Sequence, residues 1–221
     1  MRTRACRSIR LMGGAALFLT AALLLAGALL TPAPAMGADA CRFLDRFPAT
    51  GQTTSYTPGD DGDIQAGGPL RYKDLGNGTI LDRNTLLIWE KKSDDDSIHD
   101  KDTQYNWANA FAVHVADLNT ANFAGRHDWR LPNVKELQSL VDYETFNPAV
   151  DPAFNNGDCA GGTCTVLTCS CTGMASVYWS SSTVAGTPTS AWIVSFNDGD
   201  VDAVDKSNDF FVRAVRGGCV D

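Results

Sequence analysis

The chain has 221 residues, with 18 Lys and Arg against 26 Asp and Glu. Its first 40 residues hold four arginines (Arg2, Arg4, Arg7, Arg10) and one acid, Asp39, so from Cys41 onward 14 basic residues face 25 acidic ones, a formal charge of −11. That excess disfavours nucleic acid and polyanionic glycans as partners, because such backbones are held by clustered Lys and Arg.

Residues 1–40 combine the basic start with an almost wholly apolar run from Leu11 to Leu30 and then small residues at Ala35, Gly37, Ala38 and Ala40. This is the pattern of an export signal, which directs the chain to the periplasm, the cell surface or the medium. The apolar run is also about as long as a membrane span, so an uncleaved N-terminal anchor is the rival expectation and the only membrane attachment foreseen. Residues 41–68 are rich in Gly, Asp and Thr and predict an extended arm laid over the domain. Residues 69–221 predict one domain, and no second one is needed.

Within it, short strands are expected at 70–73, 79–81 and 86–90, separated by the turns Gly76-Asn77-Gly78 and Asp82-Arg83-Asn84-Thr85. They read as a β-meander. A charged surface loop follows at 93–102. Trp107, Ala110, Phe111, His114, Val115 and Leu118 then form a helical stripe. A second helix is signalled by DWRLPNVKELQSLVDY, in which Asn133 caps and Glu136 stands three residues later, with Val134, Leu137, Leu140 and Val141 as the buried face. Trp129 is expected to pack beneath that helix, and Arg130 to be fixed at the junction by hydrogen bonds.

Six cysteines remain after Cys6 leaves with the signal, an even number in an exported chain, which predicts disulfides. Cys41 and Cys219 stand at opposite ends and are natural partners, since domain termini often lie close together. Cys159, Cys164, Cys169 and Cys171 then pair within CAGGTCTVLTCSC. Four thiolates around zinc is the alternative, although the spacing lacks paired Cys-x-x-Cys knuckles.

Strands return at 177–181, 190–196, 200–204 and 210–216, with Asn197-Asp198-Gly199 a hairpin turn between two of them. Strands, two helices, a long loop and strands again is an α+β order. No Gly-x-Ser-x-Gly elbow, His-Glu-x-x-His or phosphate loop occurs, and no catalytic residue is assigned. His99 falls in the acidic loop, and His114 reads as a packing residue on the helix stripe. Arg213 and Arg216 are expected to bind carboxylates or main-chain carbonyls at the sheet edge. Asp198, Asp200 and Asp202 are the candidate metal ligands, because calcium takes six to eight oxygens. A solvated hairpin without any cofactor is the first expectation there, because Asp205 points to the other face and the spacing is not that of an EF-hand. The tryptophans read first as core. Trp179 and Trp192 are the pair that would stack on a sugar ring.

Asp82-Arg-Asn-Thr-Leu-Leu-Ile-Trp-Glu-Lys91, Trp129-Arg-Leu-Pro132 with Glu136-Leu137, Tyr178-Trp-Ser-Ser181, Ala191-Trp192 with Phe196 and Gly199, and Val212-Arg-Ala-Val-Arg216 occur in the order of the Lcl C-terminal domain family, which the chain resembles over about 50–218. Leu86 departs from it, standing where the family has glycine. The resemblance implies a compact α+β domain with a C-type lectin-like architecture of short antiparallel strands and two helices. It also implies an exported bacterial context in which the best-known members end collagen-like adhesins, bind sulfated glycans and form trimers. This chain has no Gly-x-y tract and is acidic, so neither the trimer nor the sulfated ligand carries over, and the oligomeric state stays open. The expected function is a non-enzymatic module binding a surface glycan or a protein. A structural or assembly domain without small ligand is the second expectation, and a sulfatase-modifying type of enzyme, which would need a reactive thiol, the third.

Overall fold

The first strands are set by alternation: in β2 (Thr79–Asp82) and β3 (Leu87–Glu90), Ile80 and Trp89 are paired across the ladder and fully buried. A computed structural model describes residues 47–156, 159, 163–173 and 177–217 of the chain. Residues 1–40, where an export signal is expected, lie outside the described residues, as do Cys41 and Cys219. Among the described residues no helix is long and apolar enough to cross a membrane.

β1 (Tyr72–Asp74) pairs with β2, β2 with β3 and β3 with β9 (Val215–Gly217), all antiparallel, giving a sheet in the order β1-β2-β3-β9. The second sheet has the order β4-β8-β5-β6-β7, from β4 (Gln104–Asn106), β5 (Val177–Thr183), β6 (Ser190–Ser195), β7 (Val201–Asp205) and β8 (Asp209–Phe211). It is antiparallel except where β5 meets β8. Short, mostly antiparallel strands with a few helices make this an α+β fold.

The expected strand 210–216 is in fact two strands in different sheets. Residues 212–214 carry the chain from the second sheet into the first, and all three are buried. A strand that changes sheets is invisible to alternation, because Val212, Ala214 and Val215 are apolar whichever sheet they serve. β4, too short and polar to read from the sequence, forms the edge beside β8.

The helical stripe forms one run over 107–120: α2 (Trp107–Asn109), a π-helical stretch (Ala110–Val115) and α3 (Ala116–Thr120). Ala110, His114 and Leu118, four apart, are its fully buried positions. The helix α4 (Val134–Gln138) begins at Asn133, whose side chain accepts from the amides of Lys135 and Glu136 while the Glu136 carboxylate accepts from the Asn133 amide. A short α1 (Asp61–Ile64) lies in the arm, which was expected to be extended; Asp60 caps it through the amide of Asp63.

The second sheet has apolar groups on both faces. Tyr178, Val194 and Phe196 join Ile80, Trp89, Leu137, Leu140 and Val215 in the main core, whereas Trp179, Ala191 and Ile193 pack on Ala110, Leu131 and Val212. Fully burying one such aliphatic or phenyl side chain stabilises by about 1.5–3 kcal/mol. A smaller cluster of Leu118, Trp129 and Ala214 sits where the helical run meets the crossing segment.

Candidate functional site

β3 ends on an acid aimed inward. Glu90 has no exposed surface, and both its carboxylate oxygens are occupied. His99 Nδ1 at 2.8 Å and Lys92 Nζ at 3.4 Å meet Oε1, while His114 Nε2 at 2.9 Å and the Ala214 amide at 2.8 Å meet Oε2. Arg213 Nη1 donates to the Glu90 carbonyl at 3.1 Å, and its Nη2 reaches the Cys171 carbonyl and Thr172 Oγ1, each at 2.8 Å. One carboxylate thus joins β3, the 93–102 loop, the π-helical stretch and the sheet-crossing segment. A single unpaired charge at this depth would be very costly; here Lys92 meets the Glu90 carboxylate, and the Arg213 guanidinium is met by two carbonyls and a hydroxyl.

Local structure places these groups. The loop bearing His99 is closed by Ser93 and Asp100, whose carboxylate accepts from the amides of Asp95, Asp96 and Asp102. His114 comes from the wide turn of the π-helical stretch, a feature frequent at functional sites. Burial alone would raise the pKa of Glu90, but His114, Lys92 and His99 hold it well below the usual carboxylate range. Burial pushes the pKa of His114 down, against the pull of Glu90. Its Nδ1 is buried without a partner, so the neutral ring donates from Nε2 to Glu90, and a second ring proton would have no acceptor. Burial also lowers Lys92, with Glu90 opposing the shift. The arrangement is an anion clamp around the Glu90 carboxylate, with His114 as a buried neutral donor. Sequence reasoning found His114 in the stripe but missed Glu90, which lies 24 positions away; the signal available was a histidine at the centre of an otherwise apolar helix face.

The sequence-predicted ligand pair does not form a platform. Trp179 has no exposed surface and its Nε1 donates to the Tyr105 carbonyl, so it offers no ring face to solvent. Its cross-strand partner is Ile193, so Trp192, one residue earlier on β6, points to the opposite face of the sheet and is partly exposed. Asp198, Asp200 and Asp202 are exposed at the β6–β7 hairpin, where Asp198 and Asp202 accept from nearby main-chain amides. Among the described residues, the carboxylates that come within 4.8 Å of one another are instead Asp94, Asp100 and Asp102. Lys101 already bridges Asp94 and Asp102 there.

The framing residues lie around the clamp. Arg130 binds Glu136 through two nitrogens at 2.8 and 2.7 Å, and its backbone exchanges two hydrogen bonds with Val215. Trp129 is not beneath α4. It packs on Leu118, Ala214 and Phe123, with Nε1 donating to the Phe123 carbonyl and the backbone amide held by Asn119. The buried Leu137 of α4 belongs instead to the main core, a cluster that Trp129 does not join. Arg216 makes two bonds to Asp128, whereas Arg213 is buried at the sheet crossing rather than at an edge. Cys159 is bonded to Cys171 and Cys164 to Cys169, a nested pairing.

Glu90, Trp129-Arg130 and Arg213 to Arg216, far apart in the chain, meet at this one junction, and the model of the Lcl C-terminal domain matches residues 78–216, which contain all of them. The chain belongs to the Lcl C-terminal domain family. No curated protein matches it. In this Lcl C-terminal domain the departure at Leu86 has a structural cost, because its φ is +63°, a left-handed conformation that glycine adopts freely.

Proposed function

We propose that this Lcl C-terminal domain is an exported, non-enzymatic binding module whose ligand is a surface glycan or a protein, in the manner of an adhesin. The observation that carries the reading is the orientation of its polar chemistry. His99, His114 and Lys92 are turned inward onto the Glu90 carboxylate, while Trp192 and the carboxylates of the β6–β7 hairpin face outward. A fixed frame with polar and aromatic groups at its rim suits recognition.

A glycan array on the exported domain, with and without calcium, tests this. Binding that Trp192→Ala abolishes without lowering Tm supports the reading; binding unchanged in Trp192→Ala places the ligand elsewhere. The reading requires no cofactor. Heat or a thermal shift at millimolar calcium, lost in Asp200→Asn, would add the metal at Asp198, Asp200 and Asp202.

The second reading, an assembly domain without small ligand, is favoured by the arm. Phe47, Tyr56 and Ile64 are 78%, 81% and 62% exposed, apolar surface suited to another protein. Sedimentation of the full chain and of one lacking those three side chains separates the two, because an assembly domain loses its oligomer while a ligand-binding module keeps its ligand.

A further inference from the structure

The four-cysteine loop brings three sulfurs from two different disulfides together. Cys159, Cys164 and Cys171 have sulfurs within 4.8 Å of one another, and the Cys164 and Cys171 sulfurs, not bonded to each other, are 3.2 Å apart. Cys164, Cys169 and Cys171 are buried, whereas Cys159 is partly exposed. The loop is tied to the domain beside the clamp: the Cys171 amide donates to the Lys92 carbonyl, the Asp94 amide to the Cys164 carbonyl, and Asn156 and Ser170 bond each other.

We propose that this loop is a thiol-accepting site, in which a low-molecular-weight thiol becomes bonded to Cys159 and the displaced thiolate is relayed inward to Cys169. Thiol–disulfide exchange proceeds by attack of a thiolate on an accessible sulfur, and of the four only Cys159 is not buried. An incoming thiolate R–S⁻ forms a bond to Cys159 Sγ and breaks its bond to Cys171, which leaves as a thiolate. The main chain at Cys171 is fixed while the sulfur exchanges, its carbonyl accepting from Arg213 Nη2 at 2.8 Å and its amide donating to the Lys92 carbonyl.

The Cys171 thiolate then stands at reacting distance from Cys164. It bonds to Cys164 Sγ and displaces Cys169, whose sulfur lies 3.6 Å from the Thr168 hydroxyl. One thiolate enters and one leaves. Two disulfides are present before and after, so no oxidant is needed; the products are R–S–S–Cys159, a Cys164–Cys171 bridge and Cys169 thiolate. This site is independent of the glycan or protein reading, since it involves neither Trp192 nor the β6–β7 hairpin.

The test treats the full, oxidised, folded chain with limiting glutathione, quenches in acid, alkylates and maps the peptides. The expected products are glutathione on Cys159, a Cys164–Cys171 bond and the alkyl label on Cys169. Label on Cys171 with Cys164–Cys169 intact overturns the relay, and absence of glutathione from Cys159 overturns the site. Stoichiometric zinc in the untreated protein, with all four cysteines alkylatable, would overturn both. In the double variant Cys164→Ser/Cys169→Ser, which keeps the Cys159–Cys171 bond and has no acceptor bridge, the label is expected on Cys171; failure of that variant to take glutathione overturns the order of attack.

Discussion

His114 Nε2 lies 2.9 Å from Glu90 Oε2, and neither side chain has any exposed surface. The ring is neutral there because burial depresses its pKa and its Nδ1 has no partner. The unfolded chain, with histidine near its ordinary 6.5, therefore binds more protons than the folded one just below that pH, so stability rises with pH and is complete above about 6.5. It falls as the solution is acidified below 6.5, and falls again below the ordinary 4.5 of a glutamate, since Glu90 is held ionised in the fold. Urea midpoints measured across pH are expected to show this two-stage loss. His114→Gln retains a donor to Glu90 and should remove the first stage, while the second persists in reduced size because Lys92 and His99 still hold Glu90 down.

Trp129 is 3% exposed and closes the cluster with Leu118, Ala214 and Phe123. Truncation of a buried tryptophan costs about 3–5 kcal/mol, so Trp129→Ala should lower both Tm and folding yield. Trp129→Phe keeps much of the packing and loses the Nε1 bond to the Phe123 carbonyl, at about 1 kcal/mol. Lost ligand binding at unchanged Tm in Trp129→Ala would instead make the residue part of a recognition surface.

The meander, the helical stripe, the cap at Asn133 and the hairpin at Asn197-Asp198-Gly199 were legible because each is a local pattern of period, turn chemistry or capping. The Asp198 and Gly199 turn is closed by the Gly199 amide on the Ser195 carbonyl and the Ser195 amide on the Asp200 carbonyl. What the sequence hid is non-local. Glu90 resembles the end of any strand until His114, His99 and Ala214 arrive from other elements, and Arg213 gives no sign that its chain is changing sheets. The same limit misplaced Trp129, whose apolar setting was correctly expected but whose neighbours are set by the path of the chain. Trp179 and Trp192 were paired as one surface, although β5 and β6 turn them to opposite sides.

Glu144 pins the N-terminal arm. Its carboxylate accepts from the Thr53 amide at 2.7 Å, the Thr54 amide at 3.0 Å and the Thr54 hydroxyl, and these bonds draw its pKa down to about 2. The contact is at the surface, so it secures the arm rather than the core. Glu144→Gln should hasten limited proteolysis within 50–68 while Tm changes little. Acidification toward pH 2 should do the same in the wild-type chain, because a depressed carboxylate pKa gives a contact present above its ordinary value of 4.5 and lost as pH falls through about 2. Equal cleavage of variant and wild type would show that the arm is held by other contacts.

Leu86 closes the turn between β2 and β3, its amide donating to the Asp82 carbonyl at 2.9 Å. Asp82 shapes the same turn by accepting from the Asn84 amide and the Thr85 hydroxyl, so the backbone is fixed before residue 86 is reached. With φ at +63° a leucine there bears a left-handed cost of about 1–2 kcal/mol, whereas its side chain, 53% exposed, recovers little by burial. Glycine removes that cost but adds about 0.5–1 kcal/mol of chain entropy on folding. Leu86→Gly is therefore expected to stabilise by about 0.5–1 kcal/mol. Leu86→Val should act oppositely, because a β-branched side chain tolerates positive φ worse than leucine does. Urea unfolding of the three proteins, read at the midpoint with unchanged slope, decides the matter. A midpoint that falls in Leu86→Gly would mean that the leucine side chain contributes more by its contacts than its backbone conformation costs.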